Sequence, residues 1–386
     1  MEGLCRRHST PVISYGARLQ FLDNEEVSRT ANFAGRLAVQ QRVLPAYRVP
    51  FFDQLARHCE GGLSLFAGEP RGREAILPAT RLEVAHLEPA RNVHILGGPG
   101  YLCFQTGIFD WLNAWDPQAL ILEANPRYLS NRRAMAWMHQ RARPVVGWGL
   151  GAPRGHFFWR GYLRQFDALI AYSTQGAEQY RAAGVPAERV HFALNAVVGP
   201  PPPVMRRPGK SGEPAKLLFV GRLQERKRVD LLLQACDGLD LRPALWIVGE
   251  GPARLQLERL AQRVYPAAQF MGALQGESLD RLFREADLFV LPGTGGLAVQ
   301  QAMAHSLPVI VAEADGTQRD LVNRDNGWLV PPGDLAALTG ALRAALSKPD
   351  RLTEMGAASH RIVAERVNIE IMADTFVKVL EAVVPR

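Results

Sequence analysis

Four times between residues 216 and 297 a short apolar run ends on a glycine turn. The runs close at Phe219–Val220–Gly221, Ile247–Val248–Gly249, Phe270–Met271–Gly272 and Leu288–Phe289–Val290–Leu291–Pro292–Gly293. A helix-like pattern follows each. Strands that are apolar on both faces belong inside a parallel sheet covered by helices. A glycine at the strand end lets the backbone approach a ligand, and the helix N-terminus behind it favours an anion. The spacing therefore predicts an α/β fold with a phosphate-bearing ligand at the carboxyl ends of its strands.

A similar alternation runs through the first half. Strands are expected at Leu37–Leu44, Gly62–Ala67, Asn92–Leu96, Ala119–Glu123, Pro144–Trp148, Ala168–Tyr172 and Val190–Phe192. Helical patterns lie between several of them, at Phe51–His58, Ser130–Arg141 and Ala177–Ala183. Residues 1–33 lack periodicity and read as a mobile extension. Gly199–Pro200–Pro201–Pro202–Pro203 is stiff, and the polar stretch behind it completes a linker over 199–215. The expected organisation is a first domain over 34–198, a second over 216–366, and a final helix within 367–386. Two Rossmann-like domains joined this way face each other across a cleft.

Composition removes several classes of function. No run approaches the ~20 apolar residues of a membrane span, and the N-terminal Arg pair has no uninterrupted apolar core behind it. Cys5, Cys59, Cys103 and Cys236 have no metal-ligand spacing, so reduced thiols, a cytoplasmic setting and no metal site are expected. The net charge is +7. From Arg127 to Phe166 there are eight Arg and no acid, with Trp137, Trp148, Phe157, Phe158, Trp159, Tyr162 and Phe166 interleaved. That stretch reads either as a charged helix face over core aromatics or as a surface for anionic lipid or a phosphate-bearing acceptor. No nucleic-acid motif accompanies it, so nucleic acid is not an expected partner.

Residues 216–346 resemble the donor-binding domain of GT-B glycosyltransferases, in the large retaining family that includes many cell-envelope and capsule enzymes (glycosyltransferase family 4-like, or glycosyl transferases group 1). The resemblance is carried by Phe219–Val220–Gly221–Arg222–Leu223, Lys227, Gly249–Glu250–Gly251–Pro252, Gly272, Gln301–Ala302–Met303–Ala304, Leu307–Pro308–Val309–Ile310 and Asn326–Gly327–Trp328–Leu329–Val330–Pro331–Pro332–Gly333–Asp334. It implies a sugar transferred from a nucleoside-diphosphate sugar to an envelope or exopolysaccharide acceptor, with retention and no metal or further cofactor. The acceptor would be a glycan or lipid-linked glycan, with peripheral contact to the inner face of an anionic membrane as an additional partner. The final helix would cross back onto the first domain.

Residue by residue, the resemblance implies that Arg222 and Lys227 hold the diphosphate, and that Gly296 and Leu297 at a helix start hold the phosphate next to the sugar. Gly249, Gly251 and Gly272 line the donor site. Gln301 stands where the family usually has a Glu that binds ribose. The chain departs from the family in lacking a first Glu after Pro292 and a His after Pro144–Trp148, where Gly149–Leu150–Gly151 stands instead. In the first domain, Glu123 and His156 are the candidate catalytic groups, and Tyr47, Arg48, Asn125 and Arg127 the candidate acceptor contacts. Asn125–Pro126 reads equally well as simple turn chemistry. The alternative to an active transferase is an inactive GT-B-fold binding or scaffold protein that partners one.

Overall fold

The computed structural model describes residues 32–72, 74, 76–152, 157–203 and 213–384. The first domain runs β1 (Leu37–Val43), α1 (Val49–Arg57), β2 (Leu63–Gly68), β3 (His86–Ile95), β4 (Leu102–Thr106), α2 (Ile108–Trp115), β5 (Ala119–Glu123), α3 (Leu129–His139), β6 (Val145–Gly149), α4 (Phe157–Leu163), β7 (Ala168–Ala171), α5 (Thr174–Ala182) and β8 (Val190–Phe192). Its eight strands lie in the order β4-β3-β2-β1-β5-β6-β7-β8. All neighbours are parallel except β3 and β4. Val39, Ile121, Val146 and Ile170 are buried on one face, and Leu120, Leu122, Val145 and Leu169 on the other. Covering both faces is what continuous apolar strands require.

The second domain runs β9 (Lys216–Val220), α6 (Val229–Asp237), β10 (Ala244–Val248), α7 (Arg254–Val264), β11 (Ala268–Gly272), α8 (Glu277–Glu285), β12 (Leu288–Leu291), α9 (Leu297–Ala304), β13 (Val309–Ala312), α10 (Thr317–Leu321), β14 (Gly327–Val330), α11 (Leu335–Leu346) and α12 (Pro349–Arg366). Its six strands are parallel, in the order β11-β10-β9-β12-β13-β14. Strand order reverses between β1 and β5 in the first sheet and between β9 and β12 in the second. Crevices at such reversals, at the carboxyl ends of strands, are where ligands bind in open α/β sheets.

The last helix, α13 (Ile369–Val383), leaves the second domain and packs on α1. Asn368 caps it by accepting from the Ile371 N–H at 3.0 Å, and the Ile369 N–H donates to Val198 at 2.9 Å. Its central Phe376 lies 5.1 Å from the rings of both Phe51 and Trp148, inside the first domain's core.

Several expectations need correction. Phe33 is buried and bridges to Cys59, so the chain has joined the first domain before residue 34. The rest of the expected extension, and residues 204–212 of the linker, lie outside the described residues. β3 begins six residues earlier than its apolar signal because a strand that alternates between exposed and half-buried positions carries charges along it. β4, α2, α4, α10 and α12 have no counterpart in the sequence reading. Among the aromatics of the Arg-rich stretch, Trp148, Tyr162 and Phe166 are buried. Arg160 and Arg164 cap carbonyls after α5, Arg143 pairs with Asp116 and Arg141 stacks on Trp137. Core aromatics under a charged face therefore describe most of this segment.

Replacing Phe376 with Ala should remove about 3–5 kcal/mol of stability, read by urea unfolding followed by tryptophan fluorescence. A loss under about 1 kcal/mol would show that α13 does not depend on this contact.

Candidate functional site

The second domain's reversal is built by backbone meeting backbone. β9 is followed by Gly221, whose N–H donates to the Val248 carbonyl at 3.0 Å. Gly249 has φ +139, and a Cβ there would sit 1.9 Å from the Gly221 carbonyl oxygen. Only glycine allows this approach. One turn further, a Cβ at Gly251 would meet the Leu223 carbonyl at 2.2 Å. The structure thus gives Gly249 and Gly251 a packing role: they seat the loop that carries Arg222 and Lys227. Gly272, with φ +72, ends β11 beside the partly exposed Met271.

The neighbouring turn after β12 interlocks with that loop. The Thr294 N–H donates to the Arg226 carbonyl at 3.0 Å, and Arg226 Nη1 donates to Thr294 Oγ1 at 3.2 Å. A Cβ at Gly295 would fall 2.2 Å from Lys227 Nζ, so the ammonium lies directly against the turn. α9 then starts at Gly296 without a side-chain cap. Its first N–H groups are left for a ligand. Gln301 lies four residues beyond Leu297, on the same helix face, and is half-buried.

Three cations, Arg222, Arg226 and Lys227, occupy this loop, and among the described residues none of them forms an ion pair. Burial, reinforced by the Arg226 charge and only partly offset by Asp315, pulls the Lys227 ammonium down to about 8. A site that desolvates one cation and crowds it with another is prepared for a multiply charged anion.

At the first domain's reversal, Glu123 ends β5 half-buried. Its N–H donates to Gln40 Oε1 at 3.2 Å, and its carbonyl accepts from Asn131 Nδ2 at 2.9 Å. Burial raises its carboxyl pKa, against the opposing influence of Arg42, the Tyr128 hydroxyl and Arg48. Asn125 Oδ1 accepts from the Arg127 N–H at 3.2 Å, closing the turn. Arg127 is exposed, 5.3 Å from the Tyr101 ring. Tyr47 is 46% exposed, whereas Arg48 is only 5% exposed. His156 lies outside the described residues.

Two residues absent from the sequence reading tie the domains together. Asp320 of α10 accepts from the Thr174 N–H at 2.9 Å and from Thr174 Oγ1 at 2.5 Å, at the start of α5. Burial raises the Asp320 carboxyl pKa while these Thr174 donors oppose the rise. On the same helix, fully buried Gln318 donates to the Gly295 carbonyl at 3.1 Å. One five-residue helix therefore touches both the turn after β12 and the other domain. The only signal for it was the punctuation Asp315–Gly316–Thr317 after a strand.

Residues 214–348 match the family described as Glycosyl transferases group 1. The sulfoquinovosyl transferase SQD2 of Arabidopsis thaliana is 34% identical over 158 residues, covering 39% of this chain and 30% of its own. A phosphatidyl-myo-inositol mannosyltransferase of Mycobacterium leprae is 33% identical over 177 residues, 43% of this chain and 46% of its own. The chain thus spans less than half the length of these relatives. Among solved structures, Anabaena HepE in complex with UDP has a TM-score of 0.68 at 14% identity, over 90% of this chain and 99% of HepE. The lipopolysaccharide outer core galactosyltransferase WaaB has a TM-score of 0.68 at 16% identity, over 90% of this chain and 99% of its own. At such identity the likeness shows the fold, which is GT-B.

If Lys227 faces a diphosphate, binding draws a proton onto it. Affinity for UDP or GDP is then level below about pH 8 and falls as pH rises through it, by up to about tenfold per pH unit. Calorimetry across that range checks the slope, which Lys227→Met should flatten.

Proposed function

We propose that this chain is a glycosyltransferase that moves a sugar from a nucleoside-diphosphate sugar to a glycan or lipid-linked glycan of the cell envelope or exopolysaccharide, with retention. The observation that carries this reading is Lys227, desolvated and pressed against Gly295 beside the uncapped start of α9. The match of residues 214–348 and the names of the relatives support it. HepE, solved in complex with UDP, supports a nucleoside-diphosphate donor.

As the glycosidic bond breaks, negative charge grows on the leaving diphosphate. Arg222, Lys227 and the N–H groups at Gly296 and Leu297 oppose it, which needs no metal at that position. Gln301, one turn along α9, would meet the ribose hydroxyls through a neutral amide. The protein supplies no nucleophile in this scheme, because the acceptor hydroxyl attacks on the face the leaving group departs from. Glu123, on the opposite wall, is assigned to sugar or acceptor hydroxyls, the role the sequence also offers for His156. Support for contact with an anionic membrane narrows to the exposed Arg132 and Arg133. No helix among the described residues is long and apolar enough to cross a membrane.

An inactive binding protein is the second reading, favoured by the absence of the family's Glu from the turn after Pro292. The two separate in one experiment, in which the chain is incubated with uridine, guanosine and adenosine diphosphate sugars and bound and released nucleotides are measured by mass spectrometry. An active transferase binds one of them and, with water taking the sugar where no acceptor is present, releases its nucleoside diphosphate. Lys227→Ala or Arg222→Ala then lowers turnover by about 10²–10³. Binding without release supports the inactive reading, and no binding to any of the three sinks both.

A further inference from the structure

The loop after β1 holds an arginine with no visible employment. Arg48 is 5% exposed, and its Nη1 is buried without a hydrogen-bond partner. Among the described residues it forms no ion pair. Its guanidinium lies 4.7 Å from the Trp148 ring and 5.5 Å from that of Tyr172. The indole Nε1 of Trp148 is likewise buried and unpartnered. Two adjacent buried donors with no acceptor leave a desolvation cost that aromatic stacking offsets only in part.

Arg48 acts electrostatically on Glu123, across the β1–β5 reversal, but Glu123 is already engaged by Arg42 and the Tyr128 hydroxyl. Tyr172, under the guanidinium, is two residues from Thr174, which bonds to Asp320 of the other domain. Arg48 thus stands at the carboxyl end of the first sheet, where the two domains meet. Tyr47, 46% exposed, lies 5.7 Å from the guanidinium.

We propose that Arg48 and the Trp148 indole N–H form a subsite for an anionic group on the acceptor, a carboxylate, sulfonate or phosphate, so that the acceptor is an acidic or phosphorylated glycan. This rests on the transferase reading above. A planar guanidinium matches such groups with two parallel hydrogen bonds.

The test uses the full chain saturated with whichever of UDP, GDP or ADP it binds, so that the diphosphate site is filled. Methyl glucuronide and glucose 6-phosphate are titrated by calorimetry against neutral methyl glucoside. At least one anionic probe should bind about tenfold more tightly or better. The preference should vanish in Arg48→Gln, return in part in Arg48→Lys, and weaken in Trp148→Phe. Equal binding of all three probes overturns the proposal, as does a preference that survives Arg48→Gln. If Arg48→Gln fails to fold, Trp148→Phe and Tyr47→Phe decide: the first must weaken the preference and the second must not. A preference seen only between UDP-glucuronate and UDP-glucose overturns the assignment to the acceptor. Failure of every nucleotide to bind, with the anion preference intact, sinks the transferase reading and leaves the subsite standing.

Discussion

The whole site depends on one close approach, that of the backbone after β10 to the backbone after β9. Gly249 can take φ +139 and lie under the Gly221 carbonyl because it has no Cβ. That contact sets the path of residues 221–228, and the path sets where Lys227 ends. The turn after β12 is fixed in its turn by Arg226, through its carbonyl and its guanidinium. The cation and the helix start therefore share one scaffold made mainly of main-chain atoms, which deforms less than side chains do.

Charge is arranged differently on the two walls of the cleft. In the second domain, cations are crowded and one is desolvated, so an anion relieves both costs at once. In the first, Glu123 is held by Gln40, Asn131, Arg42 and Tyr128 around the end of β5. Arg48, which also acts on Glu123, rests on an aromatic bed of Trp148 and Tyr172. The bed also touches Phe376 of α13. The helix that returns from the second domain thus supports the floor of the first domain's wall.

The small helix α10 links the walls. Gln318 holds the carbonyl of Gly295 and Asp320 holds the start of α5. A change in domain closure that moved Thr174 would pull on the helix that steadies the anion turn. Gln300 adds a second tie, accepting from the Val197 N–H at 3.1 Å. Half-buried Asp320 and buried Gln300, on two second-domain helices, thereby touch the first domain and the chain that leaves it.

The parallel sheets, the apolar strands and the glycine-ended turns were legible from residues alone, because burial on both faces demands continuous apolar runs and sharp turns demand glycine. The positions of Lys227 and Gly296 on the second domain followed from the same pattern. What the sequence could not show is governed by distance in three dimensions. β3 and its antiparallel partner β4, which forms the edge of the sheet, carry no continuous apolar run, since both are partly exposed. Asp320 and Thr174 are 146 residues apart, and no local period announces such a pair. Arg48 and Asn125 looked alike as polar residues after a strand. Only the packed structure separated them: Asn125 spends its oxygen on its own turn, while Arg48 is buried with a donor unspent.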